Sequence, residues 1–226
     1  MKNYIFIALS AILLVSCAQS ITKGKQYSQM YEEKPTSILV MPPINNTNVV
    51  EAKDYFYNSL AHPMCEQGYY VVSPLLALDL LKQESAYESE NFINGNLAPF
   101  RKVFGVDAAL FTTINKYKKN DLANTITVEI EYLLRSTKTN EVLFNRKGNL
   151  KVDCGSSSSS GGGLIGLAIQ MAANALATAT TDKIVGARRC NVFVLSDMPA
   201  GPYSPKYGKD MEMPAGKKEI KGSVKK

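Results

Sequence analysis

The single histidine, His62, is the residue around which any nucleophilic site of the histidine type would have to be built. Cys65 follows three residues later, and a thiol and an imidazole at that spacing can meet on one face of a helix. Pro63 lies between them and disturbs such a helix. No Gly-x-Ser-x-Gly turn supplies a serine nucleophile. We therefore predict a structural histidine at a kink or break of a helix near 61–62, and no catalytic residues.

Paired carboxylates and a glycine-rich stretch offer two further kinds of chemistry. Glu129 and Glu131 share one face of a predicted strand, whereas Glu88 and Glu90 fall in a polar loop, and neither pair adjoins a stretch that predicts an apolar catalytic pocket. Residues 155–163 are glycine and serine before a helix, but the Gly-Lys-Ser/Thr of a phosphate loop is missing. The cysteines lack C-x-x-C spacing. The sequence thus predicts no cofactor and no metal site.

Three cysteines follow the N-terminal leader and its own cysteine: Cys65, Cys154 and Cys190. We predict a disulfide between Cys154 and Cys190, because both fall at ends of predicted strands while Cys65 falls on a helix, where it can pack as a small apolar residue. This bridge would enclose the glycine-serine stretch and the helix after it, and would limit their unfolded-state entropy. Three reduced thiols, or pairing of Cys65 with Cys154 or Cys190, remain the alternatives.

The first 16 residues have the pattern of a secretory signal peptide. Lys2 provides a positive start, and residues 4–15 form an apolar run that is shorter than the roughly 20 residues a membrane span requires. The run ends in Leu14-Val15-Ser16-Cys17, which resembles the bacterial lipobox. That resemblance implies cleavage before Cys17, diacylglycerol on its thiol, and a further acyl chain of the palmitate kind on its amino group. Ala18 in the next position resembles an outer-membrane sorting signal.

Charge is concentrated at the C-terminal end of the chain. The formal net charge is +6, but seven lysines against three acidic residues lie between Tyr203 and Lys226. Residues 17–202 carry only about +1, so the body lacks the basic face expected of a nucleic-acid binder. We predict a lipidated tether over 17–35, and a basic disordered tail over 199–226 that can be removed after 202 with little effect on melting.

Residues 36–198 have the pattern of one α/β domain. The apolar run 37–41 predicts a strand buried on both faces, and the alternation over 125–132 predicts a half-buried antiparallel strand that extends over 125–136. We expect helices over 50–67, 73–83, 98–104 and 164–180, and further strands over 69–72, 106–119, 141–152 and 192–195. These elements predict a mixed sheet of about five strands with helices packed mainly on one face.

The stretches 37–47 (Ser-Ile-Leu-Val-Met-Pro-Pro-Ile-Asn-Asn-Thr) and 60–74 (Leu-Ala-His-Pro-Met-Cys-Glu-Gln-Gly-Tyr-Tyr-Val-Val-Ser-Pro) resemble a family of bacterial lipoproteins first described as a domain of unknown function. The resemblance implies a fold similar to the N-terminal domain of TolB. It also implies a place beside CsgG-like lipoproteins at the periplasmic face of the outer membrane. It brings no catalytic residues.

Together these features predict a lipid-anchored protein-interaction module of an envelope export or assembly complex, with a homodimer among its assemblies. A periplasmic hydrolase and a surface-exposed structural lipoprotein without secretion partners are the alternatives.

Overall fold

The computed structural model describes residues 21–120, 122–123, 125–153 and 183–224. The predicted signal peptide, Cys17, Cys154, the glycine-serine stretch and the predicted helix over 164–180 lie outside the described residues. The helices are α1 (Lys23–Gln26), α2 (Ser28–Glu33), α3 (Ala52–Glu66), α4 (Pro74–Gln83), α5 (Ala98–Phe104) and α6 (Lys183–Leu195), with a 3₁₀ turn over Ser89–Asn91. The strands are β1 (Ser37–Val40), β2 (Ile44–Asn45), β3 (Tyr70–Val71), β4 (Ala108–Asn120), β5 (Thr125–Ser136), β6 (Val142–Asp153) and β7 (Glu219–Val224).

The seven described strands form one mixed sheet in the order β3-β1-β4-β5-β6-β7, with β2 also paired to β4. The parallel pairs are β1 with β3, β1 with β4, β2 with β4 and β6 with β7. The long meander β4-β5-β6 is antiparallel. The predicted mixed α/β class is therefore confirmed, with two more strands than expected.

Helices cover both faces of the sheet, although one layer is larger. On the larger face, Ile38 and Val40 of β1 pack in a core with residues of α2, α3 and α6. On the other face, Leu39 and Met41 pack in a smaller core with residues of α4 and α5. Strand β1 is thus buried on both sides, as its continuous apolar sequence predicts.

Helix α3 continues through Pro63, so of the predicted kink or break near 61–62 the break is wrong. Proline removes one backbone hydrogen bond from the helix. Leu60, Pro63 and Met64 are all buried, and this packed face holds the helix together in spite of that loss.

Residues 192–195 belong to helix α6 and not to a last strand, so this prediction is also wrong. The buried residues of the helix form adjacent pairs that recur every four positions: Gly186 and Ala187, Cys190 and Asn191, Val194 and Leu195. Val192 and Phe193 are 45% and 39% exposed. The apolar run that resembled a strand is therefore divided between two faces of a helix.

Both predicted tails pack on the domain where the structure describes them. Within the supposed tether, Tyr27 and Met30 are buried in the larger core. Within the supposed disordered tail, β7 pairs with β6 over Lys147–Val152, and Gly201 N donates to Gln67 O at 2.8 Å. Backbone groups of these segments form hydrogen bonds with distant parts of the chain, and these bonds hold the segments on the domain although their sequences are polar.

Candidate interaction surfaces

The predicted nucleophile pair lies on the solvent side of α3. His62 and Cys65 are both exposed, so Cys65 does not pack as a small apolar residue in the helix interface as predicted. In the described ranges, no group of three or more His, Cys, Asp or Glu side chains is placed to hold a metal ion. None of the helices in that part of the chain is both long and apolar enough to cross a membrane.

The two strand carboxylates are engaged in cross-strand ion pairs at the surface. Lys116 Nζ lies 3.1 Å from Glu129 Oε1, and Lys147 Nζ lies 3.1 Å from Glu131 Oε2. Exposed pairs of this kind contribute at most about 1 kcal/mol to stability. They hold adjacent strands in register and are not arranged as an acid and a base.

Cys190 lies inside helix α6 and not at a strand end. Its thiol is free and fully buried. Burial raises the pKa of the Cys190 thiol to about 12, against a smaller lowering by a hydrogen bond with Tyr132. Because Cys154 is outside the described residues, its bridge to Cys190 stays a prediction, but the strand-end position that suggested this bridge is incorrect for Cys190.

A buried polar network joins α6 to the sheet and to α3 beside Cys190. The Tyr132 hydroxyl donates to Asn191 Oδ1, and Asn191 Nδ2 donates to Ser59 Oγ at 2.9 Å. All three side chains are at most 2% exposed. Since each of these hydrogen bonds has a buried partner, the network fixes how the helices lie on the sheet.

A second network, here called the C-terminal clasp, fastens the C-terminal segment to the domain. Asp197 Oδ2 accepts hydrogen bonds from the Tyr27 hydroxyl (2.6 Å) and from Gly216 N (2.9 Å). Arg146 donates from Nε to Lys217 O at 3.1 Å and from Nη1 to Val194 O at 2.7 Å. Burial and the hydrogen bond to Asp197 raise the pKa of Tyr27.

One pocket lies where α2, the residue before β3 and the C-terminal segment meet. Its volume is about 190 Å³, below the roughly 300–1,000 Å³ typical of small-molecule sites. The Tyr31 hydroxyl lies at this junction, and burial and the nearby Asp210 raise its pKa. The pocket is large enough for one apolar group and too small for a typical cofactor. It is lined by Met30, Tyr31, Lys34, Pro35, Tyr69, Pro199, Ala200, Tyr207, Gly208 and Met211.

The two outer strands of the sheet differ sharply in what they expose. On β7 the exposed residues are charged or small, among them Glu219 and Lys221, which is the usual protection of an open edge. On β3, Tyr70 is 58% exposed, and the first turn of α4 that follows exposes Leu75 (70%) and Leu76 (68%). We call Tyr70, Leu75 and Leu76 the β3-edge patch.

The backbone of β3 leaves hydrogen-bonding groups open along this edge. Tyr70 N donates to Thr36 O and Val72 N donates to Ile38 O, so these groups point toward β1. By the alternation of a parallel ladder, the N–H and C=O of Val71 point to the outer side. The β3-edge patch therefore combines outward backbone groups with exposed large side chains.

The sequence alone does not indicate this patch, because Leu75, Leu78 and Leu81 recur at a helical period that predicts one inward stripe on α4. In the structure Ala77 and Leu81 are buried, and Leu75 and Leu76 point outward. Ala77 and Leu81 are four residues apart and therefore lie on the same face of α4, which is the buried face. This spacing is the sequence signal that favours burial of Ala77 and exposure of the two leucines before it.

The chain is similar to known lipoproteins in sequence and in structure. Residues 25–197 match the model of a family described as putative lipoprotein GNA1162-like. A relative from Neisseria meningitidis serogroup B, described as putative lipoprotein NMB1124/NMB1162, is 27% identical over 183 residues, which are 79% of this chain and 83% of the relative.

Among solved structures, lipoprotein GNA1162 from Neisseria meningitidis is 26% identical, with a TM-score of 0.47, over 63% of this chain and 99% of that one. The C-terminal domain of LpoB from Escherichia coli is 18% identical, with a TM-score of 0.35, over 54% of this chain and 92% of that domain.

The family model begins inside α1 and ends two residues after α6, so it spans most of the described domain. Both the family and the relative are described as lipoproteins, and a lipoprotein is held at a membrane of the cell envelope. This chain belongs to the GNA1162-like lipoprotein family.

Proposed function

We propose that this chain is a lipid-anchored envelope protein whose folded domain binds a partner protein through the β3-edge patch. The observation that carries the proposal is the contrast between the two outer strands, of which only β7 bears charged residues. Soluble proteins usually protect an open edge with charge, and an exposed apolar edge is typical of an interaction site.

The chemistry of the patch indicates what the partner presents. Outward N–H and C=O groups at Val71 suit an extended peptide segment that adds a strand to the sheet. Tyr70 on the strand and Leu75 and Leu76 just beyond it suit apolar side chains on that segment. The partner is therefore a protein with an extended apolar segment, and the role is non-catalytic.

The anchor places this interaction in the envelope. Cys17 carries the lipid, and Ala18 directs the protein to the outer membrane, where the domain faces the periplasm. A CsgG-like lipoprotein of an export or assembly complex is the partner that the family resemblance suggests. Replacement of Cys17 by Ala should abolish acylation, and recovery of the wild-type protein in the soluble periplasmic fraction would refute the anchor.

Site-specific photo-crosslinking in cells tests the docking site. A benzophenone side chain at position 70 should give one defined adduct with an envelope protein, and the same probe at Val103, 51% exposed on α5, should not. The double change Leu75→Lys and Leu76→Lys should remove the adduct without altering the melting temperature, since both side chains are exposed.

Each outcome of the crosslinking experiment is informative. An adduct of twice the chain mass would identify a second copy as the partner. No adduct at position 70, or one that survives the two lysines, would refute the β3-edge patch. It would then favour a structural lipoprotein or an enzyme.

A further inference from the structure

Four large apolar side chains are exposed where the N-terminal end of the domain meets the C-terminal segment. Their exposed fractions run from 40% to 58%. We call them the anchor face: Ile21, Tyr207, Met211 and Met213. All four lie outside the stretch 25–197 that matches the family model.

Backbone hydrogen bonds hold the two parts of the anchor face together. Lys23 N donates to Met213 O at 2.8 Å, Gly24 N donates to Met211 O at 2.9 Å, and Ala215 N donates to Ile21 O at 2.8 Å. The backbones around Ile21 and around Met211 and Met213 therefore lie side by side, even though about 190 residues of chain separate them.

Exposed lysines are interspersed with these apolar side chains. Lys25, Lys206 and Lys209 are exposed, and Glu212 between the two methionines is exposed as well. Asp210 is buried beside Lys23, with 3.8 Å between Nζ and Oδ2. Tyrosine and long apolar chains next to lysines are typical of surfaces that rest in the headgroup layer of a membrane, where the lysine ammonium reaches water or phosphate.

The covalent chain limits how far this surface can be from lipid. Three residues lie between Cys17 and Ile21, and the four residue-to-residue steps of an extended chain span at most about 14 Å. If Cys17 is acylated, its acyl chains lie in the hydrocarbon core, which a headgroup layer of roughly 5–8 Å covers on each side. Ile21 is thus tethered within about one headgroup layer of the bilayer surface.

We propose that the anchor face rests on the lipid bilayer and fixes the orientation of the domain at the membrane. This inference depends on the lipid anchor of the proposed function. Three acyl chains on Cys17 already retain the protein on the membrane, since one chain alone binds marginally and two suffice. The anchor face therefore sets which side of the domain faces the lipid. Its contribution is measured by how deeply its side chains enter the bilayer, and not by how much protein stays bound to the membrane.

The sequence contains no tryptophan, so a single introduced indole reports its own position. Met213→Trp places the indole on the anchor face. Leu122→Trp, at a 66% exposed residue between β4 and β5, is the matched control. Met213 lies four residues before Lys217, whose carbonyl oxygen accepts a hydrogen bond from Arg146 on β6. The β4-β5 hairpin that carries Leu122 lies beside the far end of β6, seven residues or about 24 Å from Arg146, so the control site is distant from the anchor face.

The full-length acylated proteins are reconstituted into phosphatidylcholine–phosphatidylglycerol vesicles with and without brominated acyl chains. The indole at position 213 should shift to shorter wavelength on reconstitution and lose most of its emission to brominated lipid. The indole at position 122 should do neither. Tyr207→Trp, a smaller change on the same face, repeats the test if Met213→Trp fails to fold.

Flotation of the vesicles separates failure of this inference from failure of the anchor. Protein that does not float with the vesicles refutes the lipid anchor, and the anchor face with it. Protein that floats while the indoles at 213 and 122 respond alike overturns the anchor face alone and leaves the anchor intact.

Discussion

The C-terminal clasp predicts that loss of one carboxyl group weakens the hold of the domain on its C-terminal segment. Asp197 is 9% exposed and receives two hydrogen bonds on one oxygen, from the Tyr27 hydroxyl and from Gly216 N. Asp197→Ala removes the acceptor and leaves the Tyr27 hydroxyl, on a residue 3% exposed, without this partner. The link between α1, the end of α6 and the segment before β7 is then lost.

The expected cost follows from those two bonds. Hydrogen bonds to a charged group contribute about 1.5–3 kcal/mol each, and water regains part of that at a site near the surface, so we expect a loss of about 2–4 kcal/mol. For a domain of this size, 1 kcal/mol shifts the melting temperature by about 2–4 °C. Asp197→Ala should therefore lower the melting temperature by about 5–15 °C.

Thermal unfolding followed by circular dichroism measures the shift, and amide hydrogen exchange over 199–224 shows whether the segment is released first. Glu212→Ala is the matched control, because this carboxylate belongs to the same segment but is exposed; it should change stability by less than about 0.5 kcal/mol. If Asp197→Ala melts like the wild type and its segment keeps its protection, the clasp does not hold the segment.

Three further predictions concern individual side chains. With the cysteines kept reduced, iodoacetamide at about pH 8 should label exposed Cys65 and spare Cys190, whose pKa burial raises to about 12, until urea unfolds the protein; equal labelling in the native state would contradict the buried site. Burial alone would raise the pKa of Asp107, but hydrogen bonds at the start of β1 lower it overall. Its stabilising effect is therefore present at neutral pH and lost as the pH falls through that lowered pKa, and Asp107→Asn should flatten the acid side of a urea-midpoint profile; an unchanged profile would count against it. Gly68→Ala should speed tryptic cleavage of the C-terminal segment, because Gly68 has a φ of +91° and a Cβ there would collide with the backbone of Ser204; wild-type cleavage rates would argue against that contact.

The parts of the fold that the sequence predicts well are those specified by local patterns. The alternation of β5 gave a strand over 125–136, which is the observed Thr125–Ser136. Pro99 in the first turn and Gly105 after the last gave the helix 98–104, and Gly105 adopts the left-handed conformation expected of a cap. In both cases residues that are close together in the sequence are sufficient to predict the type and the bounds of the element.

The parts that the sequence did not predict depend on contacts between distant residues. Gln26 Nε2 donates to Gly216 O at 2.8 Å across 190 residues, and nothing in the polar sequence around either residue indicates the other. Composition favoured a tether and a disordered tail because each segment has too few apolar side chains to fold alone. In the fold both segments pack on the sheet. The C-terminal segment adds β7 to it, and the Tyr27 ring packs against the Phe144 ring of β6 with 5.2 Å between centroids.

The C-terminal segment links the two proposed surfaces. Near its start, Gly201 and Tyr203 bond to the backbone of residues 67–68 and stop short of Tyr70, which leaves the β3-edge patch open. Further on, residues 211–215 pair with residues 21–24 and form the anchor face. Because one docked segment borders both surfaces, the side of the domain that rests on lipid and the edge that receives a partner are held at a fixed angle to each other. Release of the clasp would therefore disturb both surfaces, whereas charge introduced at Leu75 and Leu76 would affect only the docking edge.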